Sequence, residues 1–337
     1  MSVHISVVIP CYNGSAFLRE AIDSALNQNN VDCEVIVVND GSIDDSFAIM
    51  ESYGPRIRIV NQPNSGLPAA RNAGIRAASG ELFAFLDADD WWEADFLSKM
   101  SAALDANPKA AVAYCGWRNV GLPGGRGEPF IPPDYESMPD KTEKIFCSPR
   151  WPVHAAMIRR NTLFEAGLFD PTLKSCEDFA LWLRSAIPHP IVRVPAVLAY
   201  YRHHDNQMIG NRARIALSHY EVQRTYLTQH PEIAGMFTRD TLRALSDGEL
   251  LMRGYASYWE RDLPAARRIF RAVMKQGYGT LRDWKYMLPA LLPLPLHRAL
   301  VRLMEQGQGE KPFPERSGQA DSPRAPGQTR KHDLGED

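Results

Sequence analysis

The chain has 337 residues with 45% hydrophobic and 23% charged side chains, which is the composition of a globular protein of two or three domains. Its 38 Lys and Arg nearly balance its 40 Asp and Glu, so no overall basic field exists that would hold nucleic acid. Five scattered cysteines without a C-x-x-C pair argue against a zinc site or a disulfide framework and suit a reducing cytosol.

The first part of the chain alternates between strand and helix signals. Short apolar or β-branched runs predict buried strands at 3–9, 34–38, 56–60, 82–86 and 111–115. Apolar residues at helical spacing between these runs, as in 18–26 and 66–78, predict helices. Strands separated by helices of this length indicate right-handed β-α-β units. We therefore expect an α/β fold with a mainly parallel sheet flanked by helices.

Residues 121–149 interrupt this alternation. Six prolines and four glycines in the stretch disfavour long regular elements. A long loop inside a compact domain is usually functional or disordered, so we expect a mobile loop beside the site. Helix signals return at 162–166 and 177–186, and residues 191–201 have the pattern of a strand.

After Asn211 the strand signals disappear. Helical patterns predict helices at 215–229, 241–258, 263–275 and 296–305, which together form a C-terminal α-helical region. Beyond these the chain is rich in Gly, Pro, Gln, Ser and charge, with too little apolar surface to order itself. The predicted organisation is an α/β domain over 1–210, a helical region over 211–306 and a disordered tail over 307–337.

Three polar clusters follow predicted strands, at the end where an open parallel sheet binds ligands. They are PCYN (10–13), NDGS (39–42) and DADD (87–90). Each alone is commonly an ordinary turn, but three of them at one sheet edge favour a ligand site. Two carboxylates that a turn brings together suit Mg²⁺ or Mn²⁺ beside substrate phosphates. The chain has no G-x-x-x-x-G-K-[ST] loop and no G-x-G-x-x-G after the first strand, so neither P-loop phosphoryl transfer nor a dinucleotide fold is indicated.

Five segments, in this order and spacing, resemble family 2 glycosyltransferases of the GT-A fold over about residues 3–205. They are SVVIPCYN (6–13), VVNDGSID (37–44), ARNAGI (70–75), GELFAFLDADD (80–90) and ED (177–178). The resemblance implies a GT-A domain that binds a nucleotide-diphosphate sugar, and it does not extend to the helical region or the tail.

The resemblance also implies roles for particular residues. It implies nucleotide and donor contacts for Pro10, Tyr12, Asn13, Asp40, Arg71 and Asp87, with Arg71 close to the base. Asp89 matches the family's direct metal ligand, and His204 ends a Tyr-Arg-x-His motif that lies near the diphosphate and the metal. Asp178 matches the general base, at the start of a helix that faces the donor.

We therefore expect an inverting glycosyltransferase that uses a nucleotide-diphosphate donor, a UDP-sugar first, with Mn²⁺ or Mg²⁺. Its acceptor would be a hydroxyl of a glycan or a lipid-linked sugar, as in polysaccharide biosynthesis. In this mechanism a base removes the hydroxyl proton, and the oxygen attacks the anomeric carbon opposite the diphosphate. Two alternatives stay open. A sugar-nucleotide pyrophosphorylase would normally show a Gly-rich N-terminal loop with a nearby Lys, and a non-catalytic glycan-binding or nucleotide-sugar-binding scaffold on a transferase fold would have lost the carboxylates.

Structural roles are open for several of these side chains. Arg71 could simply pair with an acid, and acids at 177–178 favour a helix N-terminus without any catalysis. His204 could be an ordinary surface histidine. The Trp91-Trp92 pair favours core packing over a sugar platform, and Trp151 would either stack on a sugar or anchor the loop before it.

Residues 253–302 contain ten Lys or Arg and three acids around the apolar run 287–296. Basic charge and apolar burial both favour the interface of an anionic membrane. We expect a cytoplasmic protein with peripheral contact to the inner face of the membrane through 253–302, and the alternative is a solvated helical face packed on the transferase domain. The N-terminal residues lack a basic n-region, an apolar h-region and a cleavage site, so we expect no standard secretion signal.

Overall fold

The computed structural model describes residues 4–121, 127–204 and 211–306. The predicted disordered tail at 307–337 lies outside the described residues, and so do the residues at the predicted domain boundary, 205–210. The strands are Ile5–Cys11 (β1), Cys33–Asp40 (β2), Arg58–Gln62 (β3), Leu82–Phe85 (β4), Trp91–Trp92 (β5), Val112–Val120 (β6), Pro129–Phe130 (β7), Ala156–Arg159 (β8) and Ile191–Arg202 (β9).

Helices connect these strands and follow them. Those within the α/β part are Leu18–Leu26 (α1), Ser46–Glu51 (α2), Leu67–Ala77 (α3), Phe96–Ala106 (α4), Lys141–Cys147 (α5), Arg160–Glu165 (α6) and Glu177–Ala186 (α7). Those of the C-terminal part are Arg212–Gln229 (α8), Pro231–Ala234 (α9), Arg239–Arg243 (α10), Glu249–Trp259 (α11), Leu263–Lys275 (α12), Leu281–Met287 (α13) and Leu294–Gln306 (α14).

The strands form one mixed sheet in the order β3-β2-β1-β4-β8-β6-β9-β5, with β7 paired to β6. The strands β1 to β4 pair in parallel, as the β-α-β pattern predicts. Beyond them β8 runs antiparallel between β4 and β6, and β5 runs antiparallel to β9. Parallel pairing returns between β6 and β9, so the expected parallel character holds for both ends of the sheet and is interrupted at β8 and β5. The carboxyl ends of β1, β2 and β4 lie at one edge.

Alternating side chains of the sheet fill two cores, one on each face. In β1, Val8 joins the core that α3, α5 and α7 cover, whereas Val7 and Ile9 join the core that α1 and α4 cover. Helix α8 contributes Val222 and Tyr226 to the first of these cores. The C-terminal helices also have a core of their own, so they pack on each other and, through α8, on α7 of the α/β part.

The segment 121–149 differs from the expected mobile loop. Residues 122–126 are outside the described part, but Tyr135 is 1% exposed and Ile145 and Phe146 are fully buried. The Tyr114 hydroxyl donates to the Pro133 carbonyl at 2.9 Å and accepts from the Tyr135 backbone N–H at 3.0 Å. Aromatic packing thus orders a proline-rich stretch without long elements, which its composition did not indicate.

Each of the four helices predicted in the C-terminal region is present, and the structure adds the short helices α9 and α13, which were not predicted. The predicted helix at 241–258 corresponds to α10, a π-helical turn at Ala244–Gly248 and α11 in continuous succession. Helices α11 and α12 approach so closely at Gly254 that a Cβ there would lie 2.6 Å from the Phe270 ring. None of the helices in the described ranges is both long and apolar enough to cross a bilayer.

Candidate active site

The loops after β1 and β2 are tied together at the sheet edge. Asn13 has a left-handed backbone (φ 53°), its N–H donates to Ser42 Oγ at 3.0 Å, and its Oδ1 accepts from the Ile43 N–H at 2.9 Å. Asp44 accepts from the backbone N–H of Ser15 and of Ser46. Burial opposes ionisation of Asp44, but these hydrogen bonds outweigh it and lower its pKa to about 2.

Tyr12 is exposed on this tied pair of loops. Its side chain is 52% exposed, while Pro10, two residues earlier, is buried in β1 opposite Val38. Tyr12 and Asn13 are therefore the accessible members of the first polar cluster, and Pro10 shapes the strand beneath them.

Asp40, at the end of β2, holds the loop before α3. Its carboxylate is 3% exposed and accepts from Gln62 Nε2 at 2.6 Å and from the N–H groups of Ser65 and Gly66 at 2.9 Å each. Gly66 has φ 87°, which lets the chain turn from this loop into α3. The resemblance implies that Asp40 contacts the nucleotide, and that contact stays a prediction. What the structure shows is a carboxylate that holds the loop before α3.

Arg71 lies on α3 and joins two acidic clusters. Its guanidinium is 1% exposed, with Nη2 at 2.6 Å from Asp87 Oδ1 and Nη1 at 2.7 Å from Glu177 Oε1. Burial opposes the charged form, yet the neighbouring carboxylates raise the pKa of Arg71 above its usual value. The ion pair that the sequence left open is present, and it places Arg71 between the end of β4 and the start of α7.

A tight turn gathers the acids that follow β4. The Asp90 N–H donates to the Asp87 carbonyl at 3.1 Å. Asp89 Oδ2 lies 3.0 Å from His204 Nε2, and these side chains are 32% and 22% exposed. Arg202 supports the turn, because its Nε donates to the Asp89 carbonyl and its backbone N–H donates to Asp90 Oδ1. Two residues from the sequence prediction, 115 positions apart, are thus in contact.

Asp90 and His154 form a buried pair that the sequence analysis did not single out. Asp90 Oδ2 lies 3.0 Å from His154 Nδ1, and both side chains are fully buried. Burial raises the pKa of Asp90 to about 6, and it opposes the charged form of His154, whose pKa the Asp90 carboxylate nevertheless raises. His154 follows no strand and belongs to no motif, so nothing in the sequence marked it.

Two neighbouring sets of side chains here have the ligand chemistry of a divalent cation. Asp87, Asp90 and His154 each have one ligand atom within 4.8 Å of the others, and Asp89 and His204 are in contact. Carboxylate and imidazole ligands suit Mn²⁺, and carboxylates suit Mg²⁺. Because Asp90 and His154 are fully buried whereas Asp89 and His204 are partly exposed, the second set is the accessible one.

Asp178 is the second residue of α7, which begins beside this cluster. The residue before the helix, Cys176, has a left-handed backbone (φ 63°) and turns the chain so that α7 starts with two acids. Asp178 Oδ1 accepts from the Phe179 N–H at 2.7 Å. Burial, and then the charge of Glu177, raise the pKa of Asp178 to about 6, while Arg71 acts in the opposite direction. Asp178 therefore holds its proton up to a higher pH than an ordinary aspartic acid does.

Three tryptophans singled out in the sequence lie in different surroundings. Trp92 is buried, stacks on Phe96 and donates its indole N–H to the His154 carbonyl at 2.6 Å, so it belongs to the core as expected. Trp91 stacks on Tyr200. Trp151 is 3% exposed and packs on Tyr114, with ring centroids 4.4 Å apart. It also lines a cavity that Asp178 reaches.

Comparison with known proteins identifies the family of this chain. Residues 6–162 match the model of glycosyl transferase family 2. The glycosyltransferase RT0329 of Rickettsia typhi is 34% identical over 221 residues, which cover 64% of this chain and 69% of that protein. The chain is a glycosyltransferase by its fold and its relatives. It belongs to glycosyl transferase family 2.

Solved structures show which proteins have a similar fold. S. aureus TarS (residues 1–349) superposes with a TM-score of 0.57 at 19% identity, covering 92% of this chain and 93% of that one. The mannosyltransferase PcManGT from Pyrobaculum calidifontis, solved with GDP-Man and Mn²⁺, gives 0.53 at 19% identity over 90% and 85% of the two chains. These structural similarities support a GT-A-type fold, with a sheet that is flanked by helices.

Proposed function

We propose that this enzyme moves a sugar from a nucleotide-diphosphate donor, a UDP-sugar, to an acceptor hydroxyl with inversion, and that Asp178 is its general base. The observation that carries the proposal is the buried Arg71 bridge between Asp87 and Glu177. It fixes the start of α7, and with it Asp178, against the turn after β4. Asp87, which is expected to contact the donor, and Asp178, the proposed base, are therefore held close together by the same buried ion pairs.

In the proposed reaction Asp178 acts as the general base. In its ionised form the carboxylate takes the proton of the acceptor hydroxyl while that oxygen forms a bond to the anomeric carbon. The bond from that carbon to the diphosphate oxygen breaks in the same displacement, and the nucleoside diphosphate leaves with the electron pair. One displacement from the opposite face inverts the anomeric configuration.

The donor is inferred from the site and from the similar structures. TarS has been solved with UDP and with UDP-GlcNAc, and PcManGT with GDP-Man. In this chain Tyr12 and Asn13 offer an exposed ring and amide beside β2, next to the loop that Asp40 holds. We assign the nucleoside to this edge, with Pro10 and Arg71 supporting it.

A divalent cation is part of the proposal. Asp89 and His204 would hold Mn²⁺ or Mg²⁺, with Asp87 in the same turn for the donor. When bound, such an ion neutralises charge on the departing diphosphate. The buried Asp90–His154 pair would stabilise the turn after β4 from the protein interior.

The donor assignment can be tested without knowing the acceptor. A panel of nucleotide sugars and nucleotides is added with Mn²⁺, and the melting temperature is recorded, because a ligand that binds only the folded state raises it. We expect UDP and at least one UDP-sugar to stabilise the protein and slow release of UDP from that sugar in water. Stabilisation by GDP or ADP alone would overturn the uridine assignment, and no response to any donor would overturn the proposal.

The acceptor is proposed to be a glycan or a lipid-linked sugar reached at a membrane surface. Exposed leucines line the C-terminal helices, namely Leu281, Leu288, Leu291, Leu292, Leu296 and Leu303. Exposed basic residues accompany them, namely Arg261, Arg268, Lys275, Arg282, Lys285, Arg298 and Arg302. Arg267 and Arg271 instead donate to the Ala290 carbonyl and stabilise the turn that presents the leucines.

Co-sedimentation with vesicles tests this membrane contact. We expect binding to phosphatidylglycerol vesicles at low salt, weaker binding in phosphatidylcholine, and loss in the double variant Leu288→Ser, Leu296→Ser. The control is Met236→Ser, because Met236 is 62% exposed on another segment. Absence of binding to the anionic vesicles would dismiss the contact and leave the catalytic proposal untouched.

A further inference from the structure

The guanidinium of Arg202 lies against two aromatic rings beside the proposed cation site. Its central carbon is 4.7 Å from the centre of the Phe17 ring and 4.4 Å from the centre of the Trp91 ring. Trp91 stacks in turn on Tyr200, its partner in the pairing of β5 with β9. Arg202 therefore connects the end of β9 to β5 and to the residue before α1.

The same guanidinium holds the turn after β4 by its backbone. Arg202 Nε donates to the Asp89 carbonyl at 2.9 Å, and Nη2 forms an ion pair with Glu20 on α1. The charge of Arg202 is thus balanced by an acid other than Asp89. Since the arginine takes the backbone oxygen of Asp89, it leaves the carboxylate to another partner. Arg71 differs, because it contacts the carboxylate of Asp87 itself at 2.6 Å.

Phe17 connects Arg202 to the histidine of the proposed site. The Phe17 ring also contacts the His204 ring, with centroids 4.9 Å apart and planes tilted by 41°. His204 Nε2 lies 3.0 Å from Asp89 Oδ2. One aromatic ring thus touches both the arginine that orients the Asp89 backbone and the imidazole that faces the Asp89 carboxylate.

These contacts require the shape of an arginine. A guanidinium is planar, so it stacks on aromatic rings while its N–H groups donate within the plane to a carbonyl. An ammonium group has no such plane and is more strongly hydrated. A lysine at position 202 would therefore keep the positive charge for Glu20 but lose the contact with the rings.

We infer that Arg202 and Phe17 are positioning residues for the Asp89–His204 pair, and that they hold these two side chains in the arrangement that binds the divalent cation. The inference rests on the proposed function, because the cation site is part of it. The resemblance places the motif that ends at His204 near the metal, and the structure adds Phe17 as the residue through which Arg202 acts on it.

Mn²⁺ binding to the chelator-treated protein, followed by electron paramagnetic resonance, tests this role without the reaction. We expect Phe17→Leu and Arg202→Lys each to raise the Mn²⁺ Kd by about 10–100-fold, the range typical of residues that orient metal ligands. Both substitutions should also change the spectrum of the bound ion, because its ligands are less firmly held. Phe17→Tyr keeps the aromatic ring and should restore the wild-type Kd.

Arg160→Lys is the matched control. Arg160 also lies over two aromatic rings, those of Phe83 and Phe164, and it donates to two backbone carbonyls just before β4. It is thus at the amino end of β4, whereas the proposed cation site follows the carboxyl end. We expect both arginine variants to have a lower melting temperature, but only Arg202→Lys to bind Mn²⁺ more weakly.

Equal Mn²⁺ Kd values in wild type and in the folded Phe17→Leu and Arg202→Lys proteins would overturn the inference, and so would an equal loss in Arg160→Lys. The metal-free protein provides a second measurement. In ¹H–¹³C spectra of histidine-labelled protein, the His204 ring signals, assigned by their loss in His204→Gln, should be displaced in Arg202→Lys. If wild type bound no Mn²⁺, the cation site would be withdrawn from the proposed function, and these signals would decide the inference: unchanged signals would overturn it.

Discussion

Arg71 and Glu177 are 106 positions apart in the chain, and their side chains meet 2.7 Å apart in the protein interior. The same guanidinium contacts Asp87 at 2.6 Å, and its plane lies over the Phe169 ring. A buried cation between two carboxylates links α3, the turn after β4 and the start of α7. The distance between the proposed donor site and the proposed base is thus set by one side chain.

Removal of that cation should unfold the protein more easily. In Arg71→Met the Glu177 carboxylate stays buried without its partner, and breaking such a pair costs about 3–5 kcal/mol. Urea unfolding at neutral pH measures the loss. Arg76→Met is the control, because Arg76 is exposed on the same helix and its replacement should change stability by less than about 0.5 kcal/mol. Equal stability of the two variants would contradict the role given to Arg71.

The pH profile of the reaction should fall on the acidic side near pH 6. Burial and Glu177 raise the pKa of Asp178 to about 6, and a base works only when it is deprotonated. Below that pH the value of kcat/KM should drop about tenfold per pH unit. Arg71 lowers this pKa. A folded Arg71→Lys protein, with a looser ion pair, should therefore have the acidic limb of its kcat/KM profile at higher pH. A flat profile down to about pH 4, where an unperturbed Asp titrates, would exclude a base with this raised pKa.

Measurements of metal binding should show different roles for the Asp89–His204 pair and the Asp90–His154 pair. Asp89→Asn and His204→Gln should weaken Mn²⁺ binding and Mn²⁺-dependent activity by more than the about 10–100-fold typical of outer-sphere changes, with little loss of stability. Asp90→Asn should instead lower the melting temperature, because His154 loses its buried partner. Titration of Mn²⁺ into the chelator-treated protein, followed by electron paramagnetic resonance, measures the binding. Asp95→Asn, at an exposed acid, serves as the control, and unaltered binding in Asp89→Asn would remove Asp89 from the metal site.

The local pattern of the sequence predicted most of the regular elements. The expected helix at 263–275 coincides with α12, and the expected strands at 34–38 and 82–86 lie at β2 and β4. These elements were predictable because each buries one face or a whole strand, which imposes a period on the apolar residues. Tyr12, Asn13 and the acids after β4 lie at one sheet edge because parallel strands share a direction.

Contacts between distant segments were not predictable in the same way. Asp90 and His154 pair because β8 enters antiparallel beside β4, and no local pattern sets that pairing. Residues 135–146 pack through aromatic side chains such as Tyr135 and Phe146 in a stretch with turn composition. The cavity beside Asp178 needs α8 and α11 in place, so neither His219 nor Arg253 could be recognised before the helices were assembled.

The last prediction concerns Asp178→Asn, which should lose activity and gain stability together. The substitution keeps the shape and an oxygen for the Phe179 N–H but removes the basic carboxylate, so turnover should fall about 10²-fold or more. The folded pKa of about 6 lies above the unfolded value of 3.8, so the contribution of this carboxyl to stability is full below about pH 4 and declines as pH rises through 6. At pH 7 the variant should therefore be more stable by up to about 2–3 kcal/mol, a gain that disappears near pH 4.

Glu177→Gln is the matched comparison for this change, because it neutralises the adjacent carboxylate. It should lower stability, since Glu177 pairs with the buried Arg71, while turnover at saturating substrate falls much less than in Asp178→Asn. Urea unfolding at pH 4 and pH 7, with single-turnover rates at pH 7, distinguishes the two. If Asp178→Asn turned over at nearly the wild-type rate, Asp178 would not be the base. If both variants did, the single displacement would have to be replaced by a mechanism that needs neither carboxylate.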